Sequence, residues 1–217
     1  MAEERTAVLE AAVDHGADTR SLFFRVPGGL AFRPGQFVSC LLPIGGERLI
    51  RPYSVASPPE EPERIELLLN LVAGGPGSHY LFGLPLGATL HFTGPWGTFV
   101  LDSAPEAGAV FIAIETGIAP IRPMVHRAAA TVTRPLALLY ATEHRVYHEE
   151  LSRIPGLDLH LVAPAAVADE VRRRYLDRDT DRTRHFFVCG VGDIVPRLRD
   201  MLRGGGYVRR AVQYEKW

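Results

Sequence analysis

Arg51 and Tyr53 stand two residues apart in RPYS, within a short extended run that begins and ends with proline. Pro52 pushes Arg51 toward an extended backbone, and the period of a strand projects residues 51 and 53 to the same face. A guanidinium suits a phosphate and a phenol ring suits a flat heterocycle. For this segment alone, a surface strand with an exposed arginine and a half-buried tyrosine is the better account. Its company adds to the chemistry. GGPGSHYLFGL follows the next strand as a glycine-rich turn, with Ser78 at what reads as a helix start, where backbone N–H groups and the helix dipole favour an anion. Gly-Pro-Gly by itself is often only a turn. GPWGTF then brings a rigid aromatic, Trp96, for which core packing is the simplest role.

The second half of the chain has its own set. TGIAP, residues 116–120, follows an apolar run and opens a helix, the place where a dinucleotide pyrophosphate meets helix-terminal N–H groups. Cys189 and Gly190 end the run HFFVCG at the carboxyl edge of an expected parallel strand. A cysteine there is most often a small buried hydrophobe, and no histidine at recognisable spacing makes it a covalent nucleophile. The chain ends in YEKW, an acidic residue two before an aromatic, with an apolar strand leading directly into it.

Two kinds of element must position these residues. Up to about Asp102 the apolar runs are short and β-rich, separated by GAD, PGG, FRPG, IGGE and GLPLG turns, which predicts an antiparallel β-barrel or sandwich. Beyond the loop DSAPEAG, fully apolar strands such as AVFIAIE, PLALLYAT and HFFVCG alternate with helical stretches. That alternation predicts a doubly wound α/β domain with a parallel sheet covered on both faces. The boundary falls near residues 103–108, giving domains over 1–104 and 105–217. Barrels leave a groove at the rim and parallel sheets bind ligands at the carboxyl ends of their strands, so the order suggests a two-ligand enzyme.

Composition removes other classes. The 217 residues are 47% hydrophobic with a formal net charge of -1, which gives no field for nucleic acid or an anionic membrane surface. Two cysteines, far apart and without a CxxC, build neither a disulfide framework nor a cysteine-ligated metal or iron–sulfur site. The spacing in HRVYHEEL reads as a solvated helix face, with no complete metal ligand set. The amino terminus lacks an apolar h-region and no run approaches membrane-spanning length, so a cytoplasmic location without membrane insertion is expected.

The ordered set RPYSVAS, GGPGS, GPWGTF, TGIAP, VCG and a terminal EKW resembles the ferredoxin–NADP reductase family, from about Thr6 to Trp217. The resemblance implies FAD, less often FMN, on the amino-terminal barrel and hydride transfer between a nicotinamide nucleotide and the flavin. It implies that Arg51 neutralises flavin phosphate, Tyr53 beside Pro52 packs on the isoalloxazine, and Ser54 hydrogen-bonds near N5. Asn70, Leu71 and Val72 would line the flavin through their backbone, and Gly77 and Ser78 would hold the pyrophosphate. Thr116, Gly117 and Gly190 would bind the nucleotide. Cys189 would lie against the nicotinamide C4 in a positioning role, Trp217 would stack on the flavin until displaced, and Glu215 would supply charge or a proton path.

The sequence departs from that family where two glycines usually precede the threonine. Ile114 and Glu115 stand there, and a carboxylate directed at a pyrophosphate would be repelled unless it points away. At the end of LLYATEHR, Ala141, Thr142 and Glu143 replace the residues expected for a 2′-phosphate. Glu143 suits a free ribose diol, so NADH is favoured over NADPH, with Arg145 the alternative if the alignment slips. The expected activity is a flavin-dependent NAD(P)H oxidoreductase whose acceptor is a separate ferredoxin, flavodoxin, oxygenase component or haem protein. Arg172, Arg173, Arg174, Arg209 and Arg210 are either a docking patch for an acidic carrier or simply solvent-facing. The rival readings are a reductase that releases free reduced flavin and a flavin-binding electron-transfer subunit that has lost nucleotide binding.

Overall fold

The computed structural model describes residues 3–101, 108–131, 135–180 and 182–217. The chain separates into two compact units, Met1–Val100 and Leu101–Trp217. The expected boundary between 104 and 105 lies outside the described residues.

The first unit contains β1 (Arg5–Asp14), β2 (Thr19–Arg25), β3 (Phe37–Ile44), β4 (Glu47–Ser54), β5 (Arg64–Asn70), α1 (Pro76–Phe82) and β6 (Thr89–Trp96). Its six strands form one antiparallel sheet in the order β4-β3-β6-β1-β2-β5. Val55, directly after β4, bridges Leu67 of β5, so the two outer strands meet and the sheet closes as a barrel. Leu9, Leu22, Phe24, Val38, Cys40, Leu42, Leu67 and Phe92 fill the interior with almost no exposure. Each such side chain contributes on the order of 1.5–3 kcal/mol. Pro52 is tolerated inside β4 because that strand is an edge of the hydrogen-bonded order. Trp96 does not enter this core. It is 40% exposed, and its indole N–H donates to Thr93 Oγ1 at 3.2 Å.

The second unit contains β7 (Ala109–Ile114), α2 (Ile118–Thr131), β8 (Leu136–Ala141), α3 (His148–Ser152), β9 (Leu157–Val162), α4 (Val167–Arg172), β10 (His185–Gly190), α5 (Ile194–Gly204) and β11 (Val212–Lys216). A parallel sheet runs in the order β11-β10-β7-β8-β9. All six residues of β7 are buried, as a central strand covered on both faces requires. The chain moves outward from β7 through β8 to β9, then returns to β10 on the other side, so the topological switch point lies between β7 and β10. No described helix is long and apolar enough to cross a membrane.

The start of α2 is seated on the end of β10 through two glycines. A Cβ on Gly117 would lie 2.2 Å from the Cys189 carbonyl oxygen, and one on Gly190 would lie 2.6 Å from Ile114 Cβ. Neither clash can be relieved by turning a flexible side chain, so both positions require glycine. Gly117→Ala is expected to destabilise the second unit by roughly 1–3 kcal/mol in denaturant titration. Gly204→Ala, on the last turn of α5 with open space around it, should be neutral or gain up to about 1 kcal/mol. Equal effects of the two substitutions would show that the close approach carries no energetic weight.

Candidate active site

The end of β4 and the start of α1 meet over the barrel core. A Cβ on Gly77 would lie 3.1 Å from Arg51 Cγ, 3.3 Å from Leu42 Cδ1 and 3.5 Å from the Tyr53 hydroxyl. The three residues that the sequence singles out for phosphate and ring chemistry are therefore neighbours, with glycine letting the helix approach the strand. Arg51 is exposed, and its guanidinium donates to the Ile50 carbonyl at 2.8 Å, a weak local bond that a phosphate would replace. Burial pushes the Tyr53 phenol up to about 12, so it stays neutral and keeps its proton at physiological pH.

Ser54 is 6% exposed, and its Oγ is buried without a hydrogen-bond partner among the described residues. An orphaned buried hydroxyl is costly, and a ligand acceptor or donor at that place would satisfy it. Ser78 is different. Its Oγ accepts from the Val72 N–H at 3.0 Å and donates to the Gly75 carbonyl at 3.0 Å, so the hydroxyl is spent on holding the glycine-rich loop. What α1 offers an anion is backbone, since the first N–H groups of a helix lack intrahelical partners. The Leu71 N–H is likewise taken by the Asp18 carbonyl at 2.6 Å, and Asn70 Oδ1 accepts from Thr19 at 2.9 Å. Of the expected lining at residues 70–72, the N–H groups of Leu71 and Val72 are committed within the protein, and any backbone contact from these two uses carbonyls. Taken together, a cation, a protonated phenol, an orphaned hydroxyl and a glycine cradle fit a phosphorylated flat ring such as a flavin nucleotide.

In the second unit the candidates gather at the carboxyl ends of the strands. Thr116 and Gly117 form the turn that enters α2, packed on Cys189 and Gly190. Glu115 has φ of 51°, a left-handed backbone at a position where glycine would be relaxed. Its carboxylate does not point outward alone: Thr142 Oγ1 lies 3.1 Å from Glu115 Oε2. Sequence reasoning left the direction of Glu115 open and had no signal for this bond, because nothing in a lone glutamate announces positive φ. Glu143, the residue expected to read the ribose, is exposed one position further on.

Cys189 and Glu215 are register partners on β10 and β11. The thiol is fully buried and burial pushes it up, with the neighbouring Glu215 carboxylate adding to the effect. A thiol kept protonated by burial is a poor nucleophile. Burial also raises Glu215 to about 7, and its Oε2 has no hydrogen-bond partner among the described residues. The Trp217 N–H donates to the Gly190 carbonyl at 3.0 Å, which continues the β10–β11 pairing to the last residue and leaves the indole 37% exposed. The arginine run is partly neutralised. Arg173 and Arg174 both pair with Glu170, at 2.5 and 2.8 Å, and hold its carboxyl down at about 2.

The comparisons with known proteins agree with this architecture. The oxidoreductase FAD-binding domain family matches residues 6–101. Over 222 residues the chain is 32% identical to ferredoxin–NADP reductase B of Sorangium cellulosum, covering 91% of each chain. It is 29% identical to the glycine betaine monooxygenase reductase subunit of Pseudomonas aeruginosa over 88% of this chain, but it spans only 56% of that relative's length. Among solved structures, a ferredoxin NADP+ reductase from Neisseria gonorrhoeae with bound FAD and NADP superposes with a TM-score of 0.84 at 15% identity, over 100% of this chain and 99% of that one. The ferredoxin reductase in carbazole 1,9a-dioxygenase gives 0.85 at 20% identity, over 99% and 69%. A barrel with a flavin-nucleotide site followed by a parallel sheet defines a flavin-dependent oxidoreductase. This chain belongs to the ferredoxin–NADP reductase family.

Glu215 gives a pH signature. With the folded value raised to about 7 from 4.5, the fold favours the protonated carboxyl, so its contribution is fully present below pH 4.5 and is lost as the pH rises through 7. Glu215→Gln should therefore be more stable relative to wild type at pH 8 than at pH 5, measured as the difference in denaturation midpoint at each pH. A difference that does not change between the two pH values would mean that the carboxyl is not buried as described.

Proposed function

We propose that the chain takes hydride from NADH onto bound FAD and passes electrons to a separate acceptor protein. The observation that carries the flavin end is the meeting of Arg51, Tyr53 and Gly77 beside the orphaned Ser54 hydroxyl. Bound FAD would supply the redox chemistry, accepting hydride and releasing electrons. The protein's work is holding and orienting. Arg51 and the N–H groups at Gly77 and Ser78 take the phosphates, Tyr53 next to Pro52 gives the ring a neutral apolar face, and Ser54 hydrogen-bonds the ring edge. Asn70, Leu71 and Val72 border it.

In the second unit Thr116 and Gly117 receive the dinucleotide pyrophosphate at the start of α2. Cys189, Gly190, Glu215 and Trp217 form the nicotinamide end. Cys189 fills space beside the reacting carbon without offering a competing nucleophile. Glu215, raised to about 7, can hold or give up a proton near neutral pH. The Sorangium relative is named for NADP. NADH is favoured here because the loop after β8 begins with Thr142 and Glu143, and a carboxylate suits a ribose diol better than a phosphate. The names of the relatives point to a ferredoxin or an oxygenase component as the acceptor. Two free, buried cysteines suit a reducing compartment, in keeping with a cytoplasmic location.

Anaerobic mixing of the flavin-loaded protein with NADH and, separately, NADPH tests this reading. Rapid loss of the visible flavin absorption with NADH is the expected result. A protein that keeps its flavin but responds to neither nucleotide would instead be an electron-transfer subunit, and one that takes up neither FAD nor FMN would overturn the flavin site itself. Arg51→Ala should weaken FAD retention by roughly 10- to 100-fold in a fluorescence titration with unchanged circular dichroism, the loss expected for one charge-assisted contact.

A further inference from the structure

Beyond the flavin end, one carboxylate is held where the family usually has none. Ile114 pairs with Ala141 at the last register position of β7 and β8, so Glu115 and Thr142 are the next residues past the carboxyl ends of two adjacent strands. Thr142 is an oriented partner. Its Oγ1 accepts from the His144 N–H at 2.9 Å, and its single proton goes either to the His144 carbonyl at 2.6 Å or to Glu115 Oε2 at 3.1 Å. The rest of that loop is anchored from α2. Arg122 lies over the Tyr147 ring at 4.3 Å and donates to Glu150 at 2.9 Å, and Tyr147 itself adopts a φ of 60°. Glu115 keeps its left-handed backbone under this arrangement, with its carboxylate directed across the strand ends toward β8.

The other side of the same turn is fixed as well. Gly117 is pressed against Cys189 and Gly190, so the start of α2 faces β10 while Glu115 faces β8. A dinucleotide with its pyrophosphate at that helix start and its nicotinamide toward β10 must lay its adenosine half over β8, past Glu115. A carboxylate there accepts hydrogen bonds from a ribose diol and repels a 2′-phosphate.

We infer that Glu115, tethered by Thr142, is a specificity-determining residue that selects the free ribose diol of NADH against the 2′-phosphate of NADPH. Glu115 acts beside Glu143, the exposed carboxylate on which the sequence expectation rests. The inference rests on the nucleotide reading proposed above.

Calorimetric binding of 5′-AMP and of adenosine 2′,5′-bisphosphate to the flavin-loaded protein isolates the ribose end, because the two ligands differ only in the 2′-phosphate. Wild type should prefer 5′-AMP. Glu115→Gln keeps the size and the contact to Thr142 while removing the charge, and should lower that preference by about tenfold. The ratio of flavin-reduction efficiencies with NADH and NADPH should move in the same sense. Thr142→Ala should fall between wild type and Glu115→Gln, and Glu143→Gln should lower the preference by less than Glu115→Gln does. An unchanged preference in Glu115→Gln, in a protein whose flavin NADH still reduces, overturns the selector and leaves the reductase reading standing. If wild type binds neither ligand and neither nucleotide reduces its flavin, the reading and the inference fall together.

Discussion

The second unit depends on one close approach, the passage of the α2 backbone over the carbonyl of Cys189. A single methyl group at Gly117 would overlap that oxygen. The contact fixes how far the first turn of α2 stands from the ends of β7 and β10, and with it the direction in which unpaired helix N–H groups can point. Everything placed on that turn inherits its orientation from backbone packing, including Glu115 and Thr116. The buried apolar strands beneath supply the energy, while the two glycines supply the geometry.

Much of this architecture was legible in the sequence. Period-two runs separated by turn residues marked the barrel, and continuous apolar strands alternating with helices marked the parallel sheet. Those patterns reflect which faces are buried, and burial is written directly in residue type. RPYS was legible for the same reason: an arginine and a tyrosine on one face of an edge strand have few roles. What could not be read depends on backbone angles and on which atoms are already in use. Ser78 looks like a phosphate ligand until its hydroxyl is seen to hold Val72 and Gly75. Glu115 looks like an obstruction until its φ and its bond to Thr142 turn it toward β8. Trp96 looked like core because tryptophan usually is, but as the last residue of β6 it stays at the surface. Of the five arginines that read either as a docking patch or as solvent-facing, Arg173 and Arg174 are taken by Glu170, three and four residues earlier in the chain.

A second theme is neutrality. Desolvation acts in one direction on acids, and here it keeps Tyr53, Cys189 and Glu215 protonated further up the pH scale than they would be in water. Groups that carry no charge can lie against an aromatic ring without distorting its electrostatics. Only Glu215 among these three falls near neutrality, so a change in its charge is within reach of ordinary conditions. Arg51 is instead left toward solvent, where a phosphate can be met without first stripping water from a buried guanidinium.

The distribution of sulfur has a practical side. Cys40 sits inside the barrel core and Cys189 inside the parallel sheet, both fully shielded, and the chain has no others. An alkylating reagent can reach either one only when its own half breathes open. The native polypeptide thus carries one built-in reporter for each half. Mass-resolved labelling over time would read the opening rates of the two halves side by side, without introducing any foreign probe.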